Sequence, residues 1–278
     1  MELHGIRDFP IVDSTTDSSF IRYLEANAAQ MLPWNKPKPE TTQVQGAVHG
    51  TTVLAVIYAD GVMVAGDRRA TSGNLIAQRD LEKVYPADEY SAIAFAGTVG
   101  VAVDLVKLFQ VELEHYEKIE GVPLSIEGKV NKLGAMIRAN LAAAQQGLAV
   151  IPLFGGYDPA QRAGRVFSTD VTGFVSEDMD FEAVGSGSYF AKGSLKKLYR
   201  PGLSESQVAR ICVEALYDAA EEDTATGGPD VIRDIFPILV TVTADGYRRY
   251  TSDETGEIAR TVVEGRHGDP GGAKSVSF

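Results

Sequence analysis

The sequence predicts an α+β domain with four layers, αββα, in which two antiparallel sheets stack between two sets of helices. Three observations lead there. The predicted elements run strands, two helices, strands, two helices, strands. Asp60-Gly61 and Asp245-Gly246 each separate two strand-like runs, a strong hairpin signal that makes sequential strands antiparallel. The grouped helices carry apolar stripes suited to covering the outer sheet faces.

Taken in order, Thr52 to Tyr58 is a β run, and Val62 to Asp67 returns beside it, bringing Asp67 back toward Thr51. A turn at Ser72-Gly-Asn74 leads into a polar strand through Gln78 to Lys83. Tyr90 to Gly97 is small and apolar enough for a strand buried on both faces. A first helix opens near Thr98, with Val101, Leu105, Leu108, Phe109, Leu113 and Tyr116 as its stripe, and Gly121 stops it. A second is capped at Ser125 and continues to Gly147. Strands then resume at 149–154, 164–168, 173–176 and 181–184. Gly185-Ser-Gly-Ser188 enters a third helix ending at Leu198, and the capping box Ser204-Glu-Ser-Gln207 starts a fourth to about Glu222. Strands at 236–243 and 247–250 close one domain spanning 51–263. Residues 264–278, rich in Gly, Pro and Ser, read as a flexible tail.

Residues 1–50 have a different character. Phe20, Leu24, Ala28 and Met31 share a short amphipathic helix, Pro33, Pro37 and Pro39 stiffen a spacer, and a polar arm ends at His49-Gly50. On local sequence alone this is equally a disordered N-terminal tail.

The formal charge of −12 argues against a nucleic-acid backbone or an anionic membrane as partner. A single cysteine, Cys212, excludes an intramolecular disulfide and fits a reducing cytosol; its helical surroundings make it a small buried hydrophobe. No apolar run is long enough to span a bilayer, and the first residues lack a secretory pattern, so the cytoplasm is expected. His4, His49, His115 and His267 have no ligand spacing, and Gly185-Ser-Gly-Ser188 lacks the Walker pattern. Neither a metal nor another cofactor is expected.

The chemistry concentrates at Gly50–Thr51. A cut there would give Thr51 a free amine beside its hydroxyl, a nucleophile and base on one residue. The tripeptide alone is a weak signal, strengthened by Asp67 and Lys83. Lys83 reads equally well as a solvated edge-strand lysine or as a buried cation paired with Asp67. Beside Thr51, a cation stabilises a developing alkoxide and lowers the amine's pKa from its usual value of about 8. Gly97, between strand and helix, offers backbone amides for an oxyanion, or is a plain turn. Ser186 and the run Asp223-Thr-Ala-Thr226-Gly-Gly228 are further candidates, although such residues also form ordinary local turns.

Together Val48-His-Gly-Thr-Thr-Val53, Gly66-Asp-Arg-Arg-Ala-Thr71, Glu82-Lys83-Val84, Ala96-Gly-Thr98, Val184-Gly-Ser-Gly187 and Asp223 to Gly228 resemble the catalytic β-subunits of 20S proteasomes, of actinobacterial type. The resemblance covers roughly residues 48–263, and the leader looks like a propeptide of that group. It implies an N-terminal-nucleophile hydrolase, a threonine endopeptidase that removes residues 1–50 by cleaving its own Gly50–Thr51 bond. Thr51, Asp67 and Lys83 match the catalytic triad, and Ser186, Asp223 and Thr226 match the group that positions the amine and a water. Thr226 stands where serine is usual. Thr71, Gly97 and Val99 match residues that hold substrate as an added strand. Ala70, Leu81, Lys83, Phe95, Val99 and Val103 match the pocket for the residue before the cut, here mostly apolar with a small Ala70 at its mouth. A preference for hydrophobic residues follows.

The implied assembly is a seven-membered β ring stacked on a second one and capped by α-subunit rings. A ring-shaped ATPase acting through the α rings would deliver unfolded proteins tagged by a ubiquitin-like protein. Two alternatives differ: a non-catalytic structural ring subunit, and a two-ring bacterial threonine peptidase, whose family typically lacks so long a leader.

Overall fold

Thr52–Tyr58 (β1) and Gly61–Gly66 (β2) form the expected hairpin in the computed structural model, which describes residues 51–268. The leader, including Gly50, and residues 269–278 lie outside the described residues.

β1 and β2 are central in a five-stranded antiparallel sheet. β1 pairs outward with Phe181–Gly185 (β10), and β2 with Ile238–Thr243 (β11), which carries Gly246–Arg249 (β12) at its edge. Ala70–Ser72 (β3) and Leu75–Gln78 (β4) make a small separate hairpin. The second five-stranded sheet runs in chain order: Val84–Asp88 (β5), Ser91–Gly97 (β6), Val150–Asp158 (β7), Ala163–Thr169 (β8) and Val175–Asp178 (β9).

Strand alternation builds the layers. Along β1, Val53 and Ala55 point into a core between the two sheets, whereas Leu54 and Val56 point the other way. Val62 and Val64 of β2 repeat the pattern against Met63 and Ala65, as do Ala92 and Ala94 of β6 against Ile93 and Phe95. The outward set of the first sheet packs on Ser188–Leu198 (α4), Glu205–Glu222 (α5) and Ser252–Gly268 (α6). That of the second packs on Val99–Glu120 (α1) and Ile126–Ala139 (α2). Three cores therefore separate four layers, αββα, as the element order predicts. Cys212 lies fully buried in the first of them, and burial pushes its thiol well above the ordinary range.

Four expectations need correction. On α1, Phe109 and Leu113 are buried and Val101 and Leu105 pack against the same core as expected, but Leu108 is 50% exposed and Tyr116 37%, and Ala102 and Val106 are buried as well. The close sheet admits the smaller Ala102 and Val106, and the bulkier Leu108 joins Val111 and Ile119 on an exposed apolar face. α2 ends at Ala139: Asn140 leaves the helical conformation, and the short turn Leu141–Ala144 (α3) follows. β4 is the start of the polar strand expected through Gln78 to Lys83, but it ends at Gln78, and a new strand, β5, begins only at Val84. Pro86 argues against a strand, and is tolerated because β5 is an edge with a bulge between Pro86 and Asp88.

The fourth is α6, which crosses the domain boundary drawn at residue 263 and continues to Gly268. It starts at a capping box in Thr251-Ser-Asp-Glu254. The Glu254 amide donates to Thr251 Oγ1 at 3.2 Å, and the Thr251 amide donates to Glu254 Oε2 at 2.6 Å. Ala259 and Val262 bury its inner face, and Arg266 binds Asp218 on α5 at 2.6 Å.

Candidate active site

The hairpin places Asp67 beside the start of β1. The Asp67 amide donates to the Thr52 carbonyl at 3.1 Å, and the Thr52 amide donates to Asp67 Oδ1 at 2.8 Å. Lys83, on the residue before β5, reaches the same oxygen with Nζ at 2.6 Å. Neither side chain is solvated: Lys83 is 3% exposed and Asp67 fully buried. This decides between the two readings of Lys83. The Arg69 and Gly227 amides donate to Asp67 Oδ2, each at 2.8 Å, so the carboxylate accepts from four donors. Lys83 Nζ also donates to the Arg69 carbonyl at 2.5 Å. Burial lowers the Lys83 pKa, and Asp67 opposes that shift without cancelling it.

Ser186, Asp223 and Thr226 also converge. Ser186 Oγ and Thr226 Oγ1 donate to Asp223 Oδ2 at 2.5 and 2.6 Å. With its proton on Asp223, Thr226 accepts from Thr52 Oγ1 at 2.6 Å, and Thr52 Oγ1 accepts the Gly187 amide at 3.0 Å. The hydroxyls thus form one directed relay ending on a carboxylate. The Ser186 amide donates to the Thr51 carbonyl at 3.0 Å. Gly185 makes this approach possible, with φ of +111°; a Cβ there would lie 1.9 Å from the Thr51 oxygen.

Thr51 itself is 4% exposed and lines a cavity of about 270 Å³. Leu81, Phe95, Val99 and Val103 form its apolar wall, with Lys83 and Gly97 beside them. Ala70 is fully buried and does not line this cavity, nor does Thr71 on β3. Gly97 has φ of +112° and is held where a Cβ would lie 2.2 Å from the Ala149 carbonyl, so the fold itself demands glycine there.

Several participants had no signal of their own in the sequence. Thr52 reads as a strand residue, yet its buried hydroxyl joins the relay. Arg69 contributes backbone atoms, which no side-chain motif announces. Gly227 admits close packing, since its Cβ would meet Arg69 Cβ at 2.8 Å. Glu82, Tyr85, Ala96 and Ala102 complete the cavity wall.

The family model described as Proteasome subunit matches residues 47–233. The chain belongs to the proteasome subunit family. It is 56% identical over 255 residues to Proteasome subunit beta 2 of Thermomonospora curvata, covering 92% of this chain and 91% of the relative. It is 54% identical to Proteasome subunit beta of Streptomyces griseus, over 93% of this chain and 92% of the relative. Proteasome subunit beta of Acidothermus cellulolyticus is 53% identical, over 93% and 91%. The family is therefore that of the proteasome β-subunits, peptidase subunits that assemble into the rings of the proteasome core.

Proposed function

We propose that this chain is a catalytic proteasome β-subunit, a threonine-type endopeptidase whose nucleophile is Thr51 after self-cleavage at Gly50–Thr51. The observation that carries the reading is the buried Lys83–Asp67 pair, 2.6 Å apart, beside a cavity that Thr51 lines.

In this mechanism the freed Thr51 amine takes the Oγ1 proton directly or through one water, and Oγ1 attacks the substrate carbonyl. Lys83 stabilises the developing alkoxide, while backbone amides near Gly97 receive the oxyanion. The amine returns its proton to the departing peptide amine, and water then hydrolyses the ester. The relay through Thr226, Asp223 and Ser186 orients the amine. Thr71, Gly97 and Val99 hold the substrate as an added strand. The apolar wall favours hydrophobic residues before the cut.

The working particle on this reading has two stacked seven-membered β rings capped by α rings in the cytoplasm. An ATPase ring feeds it unfolded proteins tagged by a ubiquitin-like protein. Residues 1–50 form the propeptide. The non-catalytic alternative fits poorly with a Thr51, Asp67 and Lys83 set kept complete.

Intact-mass and N-terminal measurements after assembly test the proposal. Wild type is expected to lose residues 1–50, and Thr51→Ala to retain them. An active wild-type particle that keeps the leader would sink the mechanism.

A further inference from the structure

A second open cleft, about 340 Å³, shares no lining residue with the cavity at Thr51. Arg68, Arg69 and Arg79 line it, together with Gly227, Gly228 and an apolar wall that includes Phe236. In a chain of formal charge −12 such a concentration of guanidinium groups is unexpected.

The carboxylates nearby do not neutralise it. Asp230 lines the cleft, but its oxygens accept from the Ile232 and Arg233 amides and from Arg233 Nη1 at 2.8 Å. Among the described residues Asp80 pairs its carboxylate with Arg68 Nη2 alone. Arg68, Arg69, Arg79 and Arg233 thus outnumber Asp80 and Asp230. Two of the cleft's arginines also keep donors in reserve. Arg68 Nε is buried with no hydrogen-bond partner among the described residues, which is costly for a charged group. Among the described residues Arg69 spends one guanidinium bond, from Nη1 to the Thr224 carbonyl at 3.1 Å, out of five N–H donors. Planar guanidiniums around a partly apolar cleft suit an oxyanion, which accepts several N–H bonds at once.

We propose that this cleft binds an oxyanion, a phosphate or a carboxylate, between Arg68, Arg69 and Arg79. The cleft is joined to the Thr51 site through shared residues. Arg69 lines it with its side chain and holds Asp67 and Lys83 with its backbone, and Gly227 lines it while donating to Asp67. A bound anion stiffens the turn that carries Asp67. The same chemistry has two sources: a free anion in solution, or an acidic side chain presented by a neighbouring subunit of the ring.

The test uses assembled particles of wild type, Arg79→Gln and Arg68→Gln. Arg79 is exposed, so its replacement leaves the core packing intact. Inorganic phosphate is titrated against chloride at constant ionic strength by calorimetry, and the dissociation temperature of each particle is measured without phosphate. For a free anion, wild type binds phosphate saturably and both variants bind it at least about tenfold more weakly, a loss of ~1.4 kcal/mol. For a neighbour's carboxylate, phosphate does not bind wild type, and both variants dissociate at lower temperature. Equal phosphate binding in all three proteins overturns the proposal. So does an absence of binding with unchanged dissociation temperatures. None of these readouts depends on peptidase activity.

Discussion

Lys83 Nζ lies 2.6 Å from Asp67 Oδ1, and both side chains are buried, with Lys83 lining the cavity that Thr51 also lines. Removing one partner leaves the other charge buried and uncompensated. Lys83→Met is expected to lower stability by about 3–5 kcal/mol and to abolish peptide hydrolysis. Chemical denaturation and a fluorogenic peptide assay check the two effects separately. A variant that is destabilised but still fully active would assign Lys83 to structure alone.

The depressed Lys83 pKa predicts a pH dependence of stability. Below the folded-state pKa both the folded and unfolded forms carry the proton, and the burial penalty is constant. Between that value and the ordinary 10.5 the unfolded chain binds more protons, so the Lys83 contribution to stability rises with pH across this window. Wild type should gain stability relative to Lys83→Met as pH rises through this window toward 10.5. Parallel curves for the two proteins would contradict the assignment.

Thr226 donates to Asp223 and accepts from the fully buried Thr52 hydroxyl. Thr226→Val keeps the shape and strands that hydroxyl, with an expected cost of about 1–3 kcal/mol and a marked fall in kcat. Thr226→Ser keeps the oxygen and should stay close to wild type in both measurements. A Ser variant as impaired as Val would mean that the methyl group, not the hydroxyl, matters.

Gly185→Ala places a methyl group 1.9 Å from the Thr51 carbonyl at φ of +111°. The chain must shift β10 or β1 to relieve the clash. Loss of at least about 1–3 kcal/mol is expected, together with retention of residues 1–50 by mass spectrometry.

Glu82 lines the cavity at Thr51, and Arg249 holds its carboxylate with two bonds of 2.8 and 2.9 Å. Wild type should cleave fluorogenic peptides after Tyr or Leu faster than after Arg or Glu. Arg249→Gln frees the Glu82 charge and should raise cleavage after Arg relative to Leu. An unchanged ratio would show that Glu82 does not face the bound side chain.

Much of this arrangement is legible in the sequence because it rests on local rules. Asp60-Gly61 fixes the hairpin that returns Asp67, and the unbroken apolar runs of β1, β2 and β6 mark strands buried on both faces. Elements that broke a local rule were harder to read. β5 contains a proline and survives only as an edge strand, and the start of α6 was hidden among polar residues although its capping box is present. On α1 the helical period assigns Leu108 and Tyr116 to the buried stripe, whereas both lie on an exposed apolar face. The site is legible where chemistry resides in side chains, as at Thr51, Asp67 and Lys83. It is not where backbone groups of Arg69 and Gly227, or a strand hydroxyl such as Thr52, do the binding.

The clamp on the first residues of β1 has a mechanical consequence. Chain ends ordinarily fray, because one side of the terminal residue has lost its tether. At Thr51 and Thr52 the backbone is gripped from both flanks, by Ser186 on one side and by the Asp67 main chain and carboxylate on the other. A terminus created there by scission would be born already fastened. Its amine and hydroxyl would be limited to small rotations about a fixed Cα, with the search for a reactive geometry already completed by folding.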